Sequence, residues 1–214
     1  MASEPGATRI SEIVLAADPD PWRAAGFVVD EGRVTVGEAT LVLAGEPVGR
    51  RIQLWRVRGL ASTDLDGLPT EHGTDAPAPA PAPAHPNGVE RVDHVVAFTP
   101  GLERTVAVLQ AAGLDLRRVR EGPTPAGAQR QAFFRLGDSI LEVVEHPPGT
   151  PAAADSDAPA GFYGLAFGVQ GLEAASQLLG PLLGEPREAV QPGRRIATVR
   201  REAGLGLPVA LITV

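Results

Sequence analysis

The feature that most constrains the fold of this chain is one order of elements that repeats along it. Two stretches rich in Pro and Ala interrupt the sequence, and residues 76–84 of the first alternate Ala and Pro. Such segments favour an extended conformation without internal hydrogen bonds, so both stretches are predicted linkers. They divide the 214 residues into modules at 8–60, 91–146 and 161–214, with linkers at 61–90 and 147–160.

Each block shows the same succession of local signals. A short strand-like segment comes first, a helical stripe follows, and then a glycine suited to stop a helix, namely Gly26, Gly113 or Gly184. In the second block, Thr99 is the predicted cap and Pro100 the first helical residue. Three strand-like segments then complete a βαβββ module, which is degenerate in the first block. We therefore predict an α+β fold of repeated βαβββ modules, forming paired, curved mixed sheets around a cleft with helices outside.

Composition removes several classes of function. The sequence has no cysteine, which excludes disulfides and thiolate metal sites, and no lysine, which excludes Schiff-base chemistry. The net charge of −7 argues against non-specific binding to nucleic acid. No apolar run approaches the roughly 20 residues that span a bilayer, and the amino terminus lacks a signal-peptide pattern. We expect a cytoplasmic protein with no membrane or nucleic-acid partner.

A histidine and a glutamate in the second block are the best candidates for chemistry. His94 lies in the first strand of that module and Glu142 in its last. Because side chains alternate along a strand, we expect His94 to lie on one face of its own strand and Glu142 on one face of its own. If the two strands are neighbours, the two side chains lie side by side. An imidazole and a carboxylate make half of a typical site for Zn²⁺, Ni²⁺, Mn²⁺ or Fe²⁺. The predicted faces are Val92, His94, Val96 and Phe98, and Ile140, Glu142 and Val144.

Three segments of this block resemble a module of the vicinal oxygen chelate superfamily. This superfamily includes glyoxalase I, fosfomycin- and bleomycin-resistance proteins, extradiol dioxygenases and methylmalonyl-CoA epimerase. The resemblance implies that two modules pair around a cleft, each supplying one ligand from its first strand and one from its last. It carries metal-ligand roles onto His94 and Glu142. The segments are Val92-Asp-His-Val-Val, Gln131-Ala-Phe-Phe-Arg-Leu-Gly and Ile140-Leu-Glu-Val-Val.

Two pairings of the modules remain open. If the second and third modules pair, Gly164 and Ala210 occupy the other two ligand positions, and neither has a ligating side chain. We favour this pairing, with 91–214 as one glyoxalase-like domain, because the linker is shorter and both modules are nearly full length. If the first and second modules pair, Glu12 and Gln53 complete a set of the kind found in glyoxalase I.

Further polar and aromatic side chains are candidates for binding an organic ligand. Gln129 and Gln131 share one face of a strand that ends in Phe133, and their amides suit a carbonyl or hydroxyl. Arg194 and Arg195 follow a turn, and a guanidinium there would hold a carboxylate or phosphate. The expected apolar lining is Val96, Phe98, Phe133 and Phe167, whereas His72, His85 and His146 are expected to be solvated.

Three hypotheses for function follow. The first is a divalent-metal-dependent lyase, isomerase or dioxygenase that acts on a small oxygenated molecule, with Glu142 as the proton shuttle. The second is a non-catalytic protein that sequesters such a molecule in a degenerate metal site, as bleomycin-resistance proteins do. The third is a structural protein that has kept the fold, with the first block serving dimerisation; a homodimer is expected.

Overall fold

The computed structural model describes residues 8–45, 50–74, 82–124 and 127–214. Residues 75–81 of the predicted first linker, which include most of its Ala-Pro run, lie outside these ranges. The described residues form two mixed sheets and three short helices, which confirms the predicted α+β class. Within them, no helix is long and apolar enough to cross a membrane.

The N-terminal sheet is built from the first block and part of the predicted first linker. Its elements are β1 (Arg9–Leu15), α1 (Pro19–Ala24), β2 (Arg33–Val36), β3 (Ala39–Leu43), β4 (Ile52–Arg58) and β5 (Thr70–His72). The strand order is β2-β3-β1-β4-β5. Asp18 caps α1 by accepting the Asp20 backbone N–H at 2.9 Å, and Pro19 takes the first helical position.

The first block departs from the predicted βαβββ pairing. β3 lies parallel to β1, with Glu12 opposite Thr40, whereas β4 lies antiparallel to β1. In a module of this type the last strand is the parallel neighbour of the first. β3 therefore takes that place after a single short hairpin, and Gln53 on β4 is not the counterpart of Glu142.

The C-terminal sheet joins the second and third blocks. Its elements are β6 (Val89–Thr99), α2 (Leu102–Ala111), β7 (Asp115–Thr124), β8 (Gly127–Leu136), β9 (Ser139–Glu145), β10 (Gly161–Val169), α3 (Glu173–Leu179), β11 (Arg187–Glu188), β12 (Arg195–Val199) and β13 (Val209–Thr213). The strand order is β11-β12-β13-β10-β6-β9-β8-β7. β6 and β10 pair antiparallel at the centre, and each has the last strand of its own block, β9 or β13, as a parallel neighbour. The second and third blocks thus share one continuous sheet.

Two predicted helix boundaries are wrong. α2 begins at Leu102 and not at Pro100, because the Thr99 hydroxyl accepts the Gly101 N–H at 3.1 Å and closes a turn before the helix. α3 ends at Leu179, and the glycine that follows it is Gly180, whose φ of 50° lies in the left-handed region, and not Gly184.

One continuous core lies between the N-terminal sheet and the adjacent face of the C-terminal sheet. Phe167 on β10 is fully buried and contacts Trp22 and Phe27, with ring centroids 6.1 Å and 5.3 Å away. On the same face, Phe162 packs against Trp55 at 5.1 Å. The expectation that Phe167 lines the cleft is therefore wrong, since its ring belongs to this core.

The expectation that His85 is solvated is also wrong. Its side chain is buried against Phe27, beyond the end of the Ala-Pro run. The Val28 N–H donates to Nδ1 at 3.0 Å, so the proton of the neutral ring is on Nε2, which donates to the Thr35 carbonyl at 2.9 Å. Burial lowers the pKa of His85, and the Thr35 bond opposes that change only in part.

Candidate functional site

A cleft of about 630 Å³ occupies the face of the C-terminal sheet that is turned away from the core. Its walls include side chains of the two edge strands, β7 and β11, as well as of central strands. The sheet therefore curves until its opposite edges border the same space. This curvature gives a concave site between the second and third blocks.

His94 and Glu142 both line this cleft. Their strands are parallel neighbours, in which His94 pairs with Ile140 and Val96 with Glu142. His94 Nε2 lies 3.6 Å from Glu142 Oε2, and each side chain is less than a fifth exposed. The separation is too long for a hydrogen bond, so the two groups face the cleft as neighbours with no bond joining them.

A β-bulge places a third polar side chain beside this pair. On β6, His94 pairs with Ala166 and Val92 with Phe167, so Asp93 is an extra residue in its strand. The bulge breaks the strict alternation, and Val92 points into the core while Asp93 joins His94 at the cleft. The predicted face containing Val92 and His94 together is therefore wrong.

Asp93 fixes the orientation of the His94 ring. Its Oδ2 lies 2.9 Å from His94 Nδ1, and its Oδ1 accepts from Arg194 Nη2 at 2.6 Å. Burial alone would raise the pKa of Asp93, but the bonds from His94 and Arg194 outweigh it and lower that pKa to about 2. Because an ionised carboxylate only accepts, Nδ1 carries a proton, and the neutral ring presents the lone pair of Nε2 towards Glu142.

The pKa of Glu142 is shifted in the opposite direction. Burial raises its pKa, and attraction to His94 and Arg120 opposes that change without cancelling it. Gln131 donates an amide N–H to Oε1 at 2.9 Å and leaves Oε2 towards the histidine. The cleft therefore contains a carboxylate that takes up a proton readily, beside an imidazole nitrogen that can accept one.

The remaining ligand-binding candidates divide into two groups. Gln131 and Phe133 line the cleft, whereas the described lining does not include Gln129, Arg194 or Arg195. Gln129 donates to the Glu145 carbonyl and Arg195 to the Pro186 carbonyl, at 3.4 Å and 3.3 Å. Arg194 binds Asp93, Gln191 and the Thr213 carbonyl. The expectation that these arginines point into the cleft is thus wrong, and Arg194 acts on the site through Asp93.

The alternative ligand set with Glu12 and Gln53 is also wrong. Both residues belong to the N-terminal sheet, on a different sheet from His94 and Glu142. Glu12 forms ion pairs with Arg33, at 2.6 Å, and with Arg56, and Gln53 is exposed. The Glu12 carboxylate is therefore bound by two guanidinium groups within its own sheet.

The sequence reasoning missed the arginines of the cleft wall. The pairing of β7 with β8 skips Arg117, a second bulge, and as a result both Arg117 and Arg118 line the cleft. The Arg118 guanidinium lies over the Phe133 ring, with Cζ 5.2 Å from its centroid. The signal that could have found them is the run of arginines at 117, 118 and 120 in a strand of the same block as Glu142.

As a metal site, this donor set supplies two protein ligands. Two donors bound at about 2.1 Å to one ion lie roughly 3.0–3.4 Å apart, close to the 3.6 Å between His94 and Glu142. In the described part of the chain, no group of three His, Asp or Glu side chains is placed to hold an ion. The third block cannot supply a ligand at Gly164, since a Cβ there would lie 2.4 Å from the Pro208 carbonyl oxygen. Further coordination positions would fall to water and a bound molecule.

Comparison with solved structures identifies the architecture. A triple mutant of 4-hydroxymandelate synthase from Streptomyces coelicolor superposes with a TM-score of 0.65 at 14% identity, covering 97% of this chain and 92% of that one. The chain has the vicinal oxygen chelate fold. At this identity the similarity shows the fold alone, and it confirms the fold that the resemblance of residues 91–146 implied.

Two further structures with the vicinal oxygen chelate fold match a part of the chain. Methylmalonyl-CoA epimerase from Mycobacterium tuberculosis is 18% identical, covers 59% of this chain and 89% of its own, and has a TM-score of 0.48. The Streptomyces coelicolor epimerase, in complex with 2-nitronate-propionyl-CoA, is 21% identical, covers 58% and 97%, and has a TM-score of 0.46. No family model and no curated protein sequence matches the chain.

Proposed function

We propose that this protein binds a small oxygenated organic molecule in the cleft between its second and third blocks, with residues 91–214 as the binding domain. The observation that carries the proposal is the pair His94 and Glu142, 3.6 Å apart on the wall of a cleft of about 630 Å³. Cavities of this size accommodate small ligands, and a few convergent polar groups in them fix the orientation of the ligand.

The roles of the polar side chains follow from their hydrogen bonds. His94 Nε2 accepts a hydrogen bond from a hydroxyl of the ligand, because Asp93 holds the proton of the neutral ring on Nδ1. Glu142, when protonated, donates to a ligand carbonyl, since burial favours its neutral form. In a ligand that spans both groups, one oxygen would face the proton acceptor, His94 Nε2, and the adjacent oxygen would face the proton donor, Glu142. This arrangement supports proton transfer at a carbon next to a carbonyl as the catalytic version of the proposal.

A binding screen tests the proposal. Small hydroxy-carbonyl, diol and keto-acid compounds would be added to the protein, and stabilisation measured by thermal unfolding. Binders should lose most of their stabilising effect with His94→Gln and with Glu142→Gln. The matched control is His72→Gln, an exposed histidine of the N-terminal sheet, which should bind as the unaltered protein does. Binding that survives both cleft substitutions would contradict the proposal.

A metal-assisted lyase, isomerase or dioxygenase is the second candidate. The observation that favours it is the bond from His94 Nδ1 to Asp93, because metal-ligating histidines are commonly held in this way by a carboxylate. His94 and Glu142 would hold the ion, which when bound would polarise ligand oxygens as a Lewis acid. Equilibrium dialysis against Zn²⁺, Ni²⁺, Mn²⁺ and Fe²⁺ tests it. One bound ion per chain that is lost in His94→Ala supports a metal site, and equal ion content in both proteins contradicts it.

A further inference from the structure

One wall of the cleft carries a cluster of arginines in a chain whose net charge is negative. Four arginines line the cleft, namely Arg117, Arg118 and Arg120 from β7 and Arg187 from β11. The whole chain has a net charge of −7, so this concentration of guanidinium groups is local to the two edge strands. The lining also contains the carboxylates Asp93, Glu142 and Glu188, but none of these belongs to β7. The β7 wall therefore carries charge of one sign, and such a surface concentrates ligands of the opposite sign.

Two of these arginines have no anionic partner in the described part of the chain. Arg117 pairs with Asp115 at 3.1 Å, and Arg120 is attracted to Glu142. Arg118 and Arg187, in contrast, form no ion pair with any described residue. Their N–H donors are therefore available to a ligand.

Arg118 is held in position without being neutralised. Its guanidinium lies over the Phe133 ring at 5.2 Å, an interaction that restricts the side chain and leaves its N–H groups free. Cross-strand pairing sets Arg118 opposite Phe133, and Phe133 opposite Glu142. An ordered cation thus lies two strands from the carboxylate of the proposed site, on the same wall.

We propose that the cleft selects an organic anion, whose carboxylate or phosphate group binds the Phe133-supported guanidinium of Arg118 while its uncharged oxygens contact His94 and Glu142. This inference rests on the proposed function and adds the charge of the ligand to it. A guanidinium binds either anionic group through paired hydrogen bonds, and Arg187 on the opposite edge strand adds a second positive charge. The anionic group of the ligand therefore lies at the edge of the sheet, and the oxygens that contact His94 and Glu142 lie at its centre.

Isoleucine methyl NMR separates cleft binding from effects elsewhere. Ile140, Ile196 and Ile212 line the cleft, whereas Ile10, Ile13 and Ile52 are buried in the N-terminal sheet and serve as an internal control. The probes are inorganic phosphate, succinate and the neutral diamide of succinate, at an ionic strength held constant with sodium chloride. We expect phosphate and succinate to shift the cleft methyl signals alone, and the diamide to shift them much less.

Matched substitutions assign the effect to one guanidinium. Arg118→Gln should weaken binding of both anions by about tenfold or more, the loss expected for a charge-assisted hydrogen bond. Phe133→Leu should weaken it less, because it removes the support and keeps the charge. Arg201→Gln, an exposed arginine outside the cleft, should leave binding unchanged. Unchanged methyl signals of the N-terminal sheet would show that each variant is folded.

Three results would overturn the inference. Equal shifts with the diamide and with succinate would mean that the cleft binds oxygenated molecules without selecting charge, which leaves the proposed function intact. Equal anion affinity in Arg118→Gln would remove that residue from the site. Cleft signals that respond to neither anion would remove anion binding altogether, and the screen with the His94 and Glu142 variants would then decide the proposed function independently.

Discussion

Replacing Asp93 with asparagine should destabilise the protein in a way that depends on pH. The Asp93 carboxylate is 8% exposed and accepts hydrogen bonds from His94 and Arg194. Those bonds favour the ionised form in the folded state. Asparagine has a similar shape and no charge, so it removes the electrostatic part of the network and leaves its packing.

The pKa of Asp93 sets the magnitude. It falls from 3.8 to about 2 on folding. At about 1.36 kcal/mol per unit, the ionised carboxylate contributes about 2 kcal/mol to the free energy of unfolding. Because the pKa is lower in the folded state, this contribution is complete above the unfolded value and is lost as the pH falls towards 2. About half of it should remain at about pH 3.

Urea unfolding followed by tryptophan fluorescence measures this contribution. Trp22 and Trp55 are fully buried in the continuous core, so their emission reports unfolding. The difference between the unaltered protein and Asp93→Asn should be about 2 kcal/mol at about pH 6 and near 1 kcal/mol at about pH 3. Asp138→Asn, which alters an exposed carboxylate, should show no such difference. An Asp93→Asn effect of equal size at both pH values would refute the reasoning.

Three other expectations concern stability and use the same urea assay. The unaltered protein should lose stability as the pH falls below about 6.5, because the pKa of His85 is lowered in the folded state and the unfolded chain takes up a proton first. His85→Ala should show less of this loss, and an identical pH profile in the two proteins would contradict the expectation. Glu142→Gln should stabilise the protein at pH 7 by on the order of 1 kcal/mol, since burial disfavours its charged form, and this gain should shrink as the pH falls towards 4.5; a destabilised variant would contradict it. Phe167→Ala should lower the free energy of unfolding by about 3–5 kcal/mol, because its ring fills the core beside Trp22. Phe133→Ala, at the cleft, should lower it clearly less, and equal losses would argue against this assignment of faces.

Hydrophobic alternation was sufficient to predict the fold class and the two strands that bear His94 and Glu142. The period of two along each strand is a local property, and it survives wherever the pairing is regular. The segments around His94 and Glu142 also resembled a known module, which implied parallel neighbours. The structure has these strands side by side, with Val96 opposite Glu142.

The missed features arise where pairing is irregular or involves distant segments. An extra residue in a strand reverses which face the following side chains occupy, and nothing in the local pattern around Asp93 or Arg117 marks one. Phe167 and His85 were misplaced for a different reason. Each is buried by residues of the first block, and packing between distant segments is not encoded in the period of either strand. The homodimer and the cytoplasmic location stay predictions.

The most direct test of the central claim is the ring ¹⁵N spectrum of the histidines, recorded with and without a ligand from the binding screen. The sequence has four histidines, and we expect the neutral ring of His94 in the free protein to carry its proton on Nδ1, bonded to Asp93, rather than on Nε2. A ligand bound between His94 and Glu142 should shift the Nε2 resonance of His94 and leave those of His72 and His85 in place. A bound ligand that leaves the His94 resonances unchanged would contradict the claim that this pair forms the binding site.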